Sequence, residues 1–301
     1  EYIQNMERRD FFDEISKNKR NSYIVSVLFF AFVIFIGYIF GLVYGSPISG
    51  IIMAMVIAVI YSLIVFSSGE SIILSSNGAK EATKKDYSFL INTVEGLAIA
   101  AGIPTPKAYV IQDDAINAFA TGKNPQKSYI AVTTGALKKL NRQELEGVIA
   151  HEMSHIKNYD IRLMLTVIVL IGTVAILSDI MLRMFLFGKS NDNNKGSLGI
   201  ILIGVGIALA ILSPIIAELT RLAISRKREY LADASGAMLT RNPDGLKNAL
   251  KKIKTENMPM QKADKATASM YISNPLKKGF FNGLWSTHPP IDERVKRLEE
   301  M

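Results

Sequence analysis

Residues 151–155 read His151-Glu152-Met153-Ser154-His155. Two histidines four apart stack on one face of a helix, so both imidazoles can reach a single metal ion. Glu152 sits about 100° around the helix from His151, close enough to act on a water at that metal without being a ligand. A catalytic zinc needs a third protein ligand and an open position. The chain has no cysteine and only one further histidine, His288, so the third ligand is expected to be a carboxylate. The best-placed one is Glu229, in Ser225-Arg-Lys-Arg-Glu-Tyr-Leu-Ala-Asp233. Asp233 lies one turn beyond Glu229 on the same face and can accept the second ring N–H of a ligand histidine. Glu218, at the edge of an apolar run, is the weaker alternative.

The elements that must position these residues can be read from the flanking sequence. Asn141 opens a helix, with Glu144 three residues on as its capping partner. Lys107–Gln112 and Ser128–Thr134 read as short strands rich in Tyr, Val, Ile and Thr, and Asn117–Gly122 as a third between them. Residues 79–101 carry Leu90, Val94, Leu97 and Ile99 at helical spacing and stop at Gly102-Ile103-Pro104. Asn242-Pro243 opens a basic helix to about Lys254, and Ile291–Glu300 forms another.

The apolar residues, 49% of the chain, are concentrated in runs. From Asn21 through Gly69 there is no Asp, Glu, Lys or Arg, enough for two bilayer crossings, Tyr23–Tyr44 and Ile48–Phe66, joined by the turn Gly45-Ser46-Pro47. Two more runs, Ile161–Leu182 and Leu198–Ala217, flank the loop-like Gly188–Gly196. The first loop has no Lys or Arg and the stretch 183–196 has three, against five in the N-terminal arm, ten in 67–160 and sixteen in 218–301. The positive-inside rule therefore puts both termini and both polar segments in the cytoplasm. The same asymmetry accounts for the net charge of +8. No arginine-rich patch with interleaved aromatics points to nucleic acid. The charged first twenty residues lack a small-residue cleavage site, so a removed signal peptide is not expected. A continuous helix from His155 into the third run would set the metal roughly 9 Å from the membrane.

His151–His155 together with Glu229-Tyr-Leu-Ala-Asp233 resembles the HtpX membrane protease family, related to the Ste24 CAAX-processing proteases. Asn117–Gly122, Thr287-His-Pro-Pro290 and the order of the four spans are similar as well, so the resemblance covers nearly the whole chain. Only Glu1–Arg9 departs, as an extension that family usually lacks. The resemblance implies a gluzincin fold with one Zn2+ per chain on His151, His155 and Glu229, and Glu152 as catalytic base. It implies His288 as partner of the developing oxyanion, with Arg294 behind it among the substrate-binding residues. It also places Asn117, Ala118, Phe119 and Ala120 beside the zinc cleft, where an exposed strand edge would take up substrate backbone.

The expected architecture is an α-helical integral membrane protein with four transmembrane helices and a cytoplasmic, zincin (gluzincin)-like α+β metalloprotease domain. Its parts are a cytoplasmic segment 1–22, a transmembrane hairpin 23–66, a catalytic segment 67–160, a second hairpin 161–217 and a catalytic segment 218–301. The expected activity is zinc-dependent endopeptidase cleavage of misfolded or damaged membrane proteins at the bacterial inner membrane, with the active site cytoplasmic. Its partners are polypeptides, chiefly membrane proteins, and the lipid bilayer, and no nucleic acid. The rival readings are a membrane scaffold or transport-associated protein with a structural metal, which four closed ligands would mark, and a CAAX-type processor, which needs more spans than four.

Overall fold

The computed structural model describes residues 2–43, 45–187, 226–263, 267–276 and 289–301. The chain divides into two units. One is built on Arg20–Ser67 together with Thr166–Leu222, the other on Ser68–Leu165 and Ala223–Met301 with the first nineteen residues.

In the first unit, helices α1 (Tyr2–Val43) and α2 (Pro47–Ser76) form a hairpin. Their stretches Arg20–Leu42 and Pro47–Ser76 are long and apolar enough to cross a bilayer. Val25, Phe29, Val33, Ala54 and Ala58 pack between them, while Leu28, Ile52 and Leu63 face outward, as lipid-exposed side chains do. Close approach depends on small residues: a Cβ on Gly37 would lie 2.8 Å from the Gly50 carbonyl oxygen. The third apolar run falls within helix α6 (Asp160–Phe187); the fourth, Leu198–Ala217, lies outside the described residues.

The second unit is an α+β domain. Its sheet has the order β1-β2-β4-β3, with β1 (Ala79–Glu81), β2 (Lys107–Ile111), β3 (Ala118–Asn124) and β4 (Lys127–Thr133). β2 and β4 are parallel, and the other neighbours antiparallel, so β3 is an edge strand. Helix α3 runs Ser88–Ala101 and ends on Gly102 in the left-handed conformation, φ 69°. The helical reading of 79–101 was too long, because Ala79–Glu81 pairs with β2 instead. Ile99, counted with the buried stripe, is 81% exposed, one residue off the face that buries Leu90, Val94 and Leu97.

A short helix α4 (Thr134–Lys139) leads into α5 (Arg142–Lys157), which carries the two histidines. Its N-terminus is a full capping box: Asn141 Oδ1 accepts from the Glu144 amide at 2.9 Å, and Glu144 Oε2 accepts from the Asn141 amide at 2.8 Å. Such caps contribute about 1 kcal/mol. Leu145, Val148, Ile149, Met153 and Ile156 bury α5 in the core, and each fully buried aliphatic side chain is worth roughly 1.5–3 kcal/mol. Helices α7 (Arg226–Thr240) and α8 (Pro243–Glu256) pack on α5, and α9 (Ile291–Glu299) on α8. Helices α7 and α5 approach closely at Gly236, where a Cβ would stand 3.0 Å from the His151 amide nitrogen. That approach carries Glu229 and Asp233 to the histidines.

The helix is not continuous from His155 into the third apolar run. It stops at Lys157, Tyr159 turns it at φ 60°, and α6 restarts at Asp160. The distance expected for an unbroken helix therefore does not apply. The break has a use, since it swings Asp160 back against His155.

Candidate metal centre

The first turn of α7 meets the last two turns of α5. His151, His155 and Glu229 there offer ligand atoms that all lie within 4.8 Å of one another. The two Nε2 atoms are 3.2 Å apart. Glu229 Oε1 is 3.6 Å from His155 Nε2, and its Oε2 is 3.8 Å from His151 Nε2. The opposite ring nitrogens face carboxylates: His151 Nδ1 is 2.9 Å from Asp233 Oδ1, and His155 Nδ1 is 2.8 Å from Asp160 Oδ2. Both Nε2 atoms are thus turned to the common point, the orientation metal-ligating histidines take.

Each aspartate has an arginine behind it. Arg294 donates to both Asp233 oxygens, from Nε at 2.8 Å and Nη2 at 2.7 Å, and to the Ile272 carbonyl from Nη1 at 3.1 Å. Arg228 Nε is 3.6 Å from Asp160 Oδ1. Arg294 is 0% exposed. Sequence reasoning put it with the substrate, but a guanidinium buried to this degree needs acceptors on its donors, and Asp233 and Ile272 supply them. It holds Asp233, and through it His151. Asp160 was missed altogether. The signal was an acidic residue five positions past His155, visible only once Tyr159 is known to turn the chain.

The group is buried throughout. Glu152, Asp160, Glu229 and Asp233 are four buried carboxylates against the two buried guanidiniums of Arg228 and Arg294. With both imidazoles neutral and all four carboxylates ionised, the state a bound dication favours, the group carries two negative charges in excess. Two imidazole nitrogens and a carboxylate converge on one point, which fits a divalent cation of zinc's preferences. Neither Glu152 oxygen has a side-chain hydrogen-bond partner among the described residues, and the Ala120 backbone gives the carboxylate weak support. Burial, with the nearby Glu229 charge adding to it, raises the Glu152 carboxyl to about 8, against the opposing pull of His155 and Arg294. Burial alone would lower His155, but the Asp160 hydrogen bond and the charges of Glu229 and Asp160 hold it up at about 9. In His151 burial dominates and its pKa falls.

The stretch expected to offer an open edge is partly taken. The Ile272 amide donates to the Ala118 carbonyl at 2.9 Å, and Phe119 forms an antiparallel bridge with Tyr271. Their rings meet edge-on with centroids 4.9 Å apart, and Phe119 is fully buried. Asn117 Nδ2 donates to the Ser273 carbonyl at 3.0 Å. An unpaired strand edge is readily covered by neighbouring chain, and here residues 271–273 do it. His288 and Glu218 lie outside the described residues.

Removing the Asp160 charge tests its part. Asp160→Asn is expected to weaken zinc binding about 10- to 100-fold while the fold persists. Unchanged affinity in a competition titration would make Asp160 a turn residue only.

Two histidines a turn apart on one helix and a glutamate from a second, on an α+β scaffold, define a zincin-like metallopeptidase. Residues 85–301 match peptidase family M48. The chain is 46% identical to a protease HtpX homolog of Dictyoglomus turgidum, over 97% of this chain and 95% of that one. It is 47% identical to a protease HtpX homolog of Listeria monocytogenes, over 96% and 99% respectively. The fold is similar to the crystal structure of S. mikatae Ste24p, with a TM-score of 0.53 at 20% identity, covering 94% of this chain and 67% of that one. The chain belongs to peptidase family M48, among the HtpX homologs, and is a metalloprotease with membrane-type helices that acts on polypeptides.

Proposed function

We propose that the protein is a zinc-dependent endopeptidase of the bacterial inner membrane that removes misfolded or damaged membrane proteins. The observation that carries the chemical part is the buried Glu152 carboxylate, without a side-chain hydrogen-bond partner among the described residues, beside the three converging ligand atoms. A buried carboxylate with so little compensation costs the fold stability, and such groups mark functional sites.

His151, His155 and Glu229 would hold one zinc ion. When bound, zinc supplies Lewis acidity toward water and toward the scissile carbonyl. Glu152 takes the proton of the attacking water and returns it to the departing amine nitrogen, so one water is consumed per peptide bond. Burial raises the Glu152 carboxyl above the ordinary range and so strengthens it as a base, and the charge of a bound zinc would favour its ionised form. Asp233 and Asp160 keep each imidazole's Nδ1 occupied and its Nε2 turned to the metal. His288 is the proposed second partner for the oxyanion, by resemblance to the family. Substrate backbone would dock on the edge of β3.

The apolar helices and the charge asymmetry support a multi-pass protein with four spans, and with both termini and the catalytic segments in the cytoplasm. A protease so placed meets loops and termini of membrane proteins first. A cytoplasmic reporter fused after Met301 should be active, and one inserted between Ser190 and Asn194 should report the opposite side. An external C-terminus would move the protease to the other compartment. For the substrate class, the purified chain in lipid vesicles should cleave an unfolded membrane protein and spare its folded form. Equal cleavage of both would remove the quality-control role.

A further inference from the structure

The cavity at the metal cluster is lined by Ala120, the three ligand side chains, Glu152 and the segment Ser269–Ile272, and holds about 10 Å³. That is room for about one water and for no polypeptide. What fills the rest is the chain itself. Residues 268–270 form a single turn of 3-10 helix, and Tyr271 and Ile272 then run antiparallel along β3, bonded to it at Ala118 and Phe119. This is the geometry in which an extended substrate would add to the same edge. The segment also carries its own fastening. Tyr271 donates its hydroxyl to Asn77 Oδ1 at 3.0 Å, and Asn77 Nδ2 donates to Thr267 Oγ1 at 3.1 Å. Asn77 immediately follows α2 and is anchored there, its Nδ2 also donating to the Ile73 carbonyl at 2.8 Å. Asn77, Thr267 and Tyr271 are all buried.

We propose that Thr267–Ile272 is a built-in strap that occupies the substrate edge of β3 over the metal cluster, latched by Asn77, and that it must leave before a polypeptide can enter. The inference rests on the reading that substrate docks on β3. The strap is held by the burial of Met270, Tyr271 and Ile272, by a backbone hydrogen bond and a bridge to β3, and by the ring contact with Phe119. The Arg294 bond to the Ile272 carbonyl and the Asn77 latch hold it as well. An incoming strand replaces the backbone bonds like for like, but it has no counterpart of the latch. The Asn77 network is therefore a part of the closed state whose loss raises the fraction of chains that stand open. A net intramolecular hydrogen bond of ordinary strength shifts such an equilibrium about fivefold.

The test uses the full zinc-loaded chain in detergent, with Asn77→Ala and Tyr271→Phe. The second removes one hydroxyl and keeps the ring on Phe119. Two rates are read: cleavage of a short unstructured peptide, and loss of zinc to excess phenanthroline. Both are expected to rise about fivefold in Tyr271→Phe, which loses one hydrogen bond, and further in Asn77→Ala, which loses those to Tyr271 and Thr267, at wild-type zinc content. Unchanged or slower rates in both readouts, in chains that keep their zinc, overturn the strap. Faster zinc loss without faster cleavage shows that the strap opens but that substrate does not use this edge, which overturns the proposal through its docking premise. Wild type and Glu152→Gln cleaving alike would instead strike the catalytic reading, and the chelator rates would still decide whether the strap covers the metal.

Discussion

Glu152→Gln is expected to abolish peptide cleavage and to leave the zinc in place. Loss of a general base lowers rates on the order of 10²- to 10⁴-fold. The substitution keeps the side chain's shape, and its amide oxygen can still accept from the Ala120 backbone. Stability should move in a direction set by pH. Burial raises the folded carboxyl from 4.5 to about 8, so in the metal-free chain the unfolded state ionises first as pH rises. The native glutamate is therefore destabilising from about pH 4.5 upward, increasingly until about pH 8 and constantly beyond. Glutamine removes that penalty, on the order of a few kcal/mol. The metal-free variant should melt above metal-free wild type at pH 8 and level with it below pH 4. Retained cleavage, or a variant less stable at high pH, would show that Glu152 is neither the base nor an unpaired buried acid.

Arg294→Ala is expected to empty the metal site by destabilising what holds it. It strands Asp233 without its two charge-assisted bonds and leaves the Ile272 carbonyl without its Arg294 donor. Breaking a buried pair from one side costs about 3–5 kcal/mol, a large part of a stability of about 5–15 kcal/mol. The expected result is a melting point lower by many degrees and zinc lost below stoichiometry. Replacing both partners, Arg294→Met with Asp233→Leu, should recover much of the melting point and none of the activity. A variant with normal zinc and normal melting that only binds substrate less tightly would return Arg294 to the substrate side.

What could be read ahead of the structure was what depends on local spacing. His151 and His155 share a face because they are four apart. Glu229 and Asp233 share one for the same reason, and Asn141 caps because Glu144 follows it at the right interval. Alternation and β-branched residues marked β2 and β4. What could not be read depends on pairing across the chain or on one backbone angle. β1 is three residues long and exists through its partner. Asp160 reaches His155 because Tyr159 adopts a left-handed φ that few non-glycine residues take. The place of Arg294 beneath Asp233 joins residues sixty-one apart, and no periodicity reports that. The cover over β3 was invisible for a like reason, since Tyr271 and Phe119 sit in unrelated stretches of sequence.

In the proposed mechanism His151, His155 and Glu229 hold the zinc with which the chain cuts polypeptides. Metal analysis of the purified full chain beside Glu229→Ala, with cleavage of an unfolded protein followed in the same samples, decides whether they do. One zinc per wild-type chain with cleavage is expected, and neither in the variant. Stoichiometric zinc and full cleavage in Glu229→Ala would rule out this ligand set.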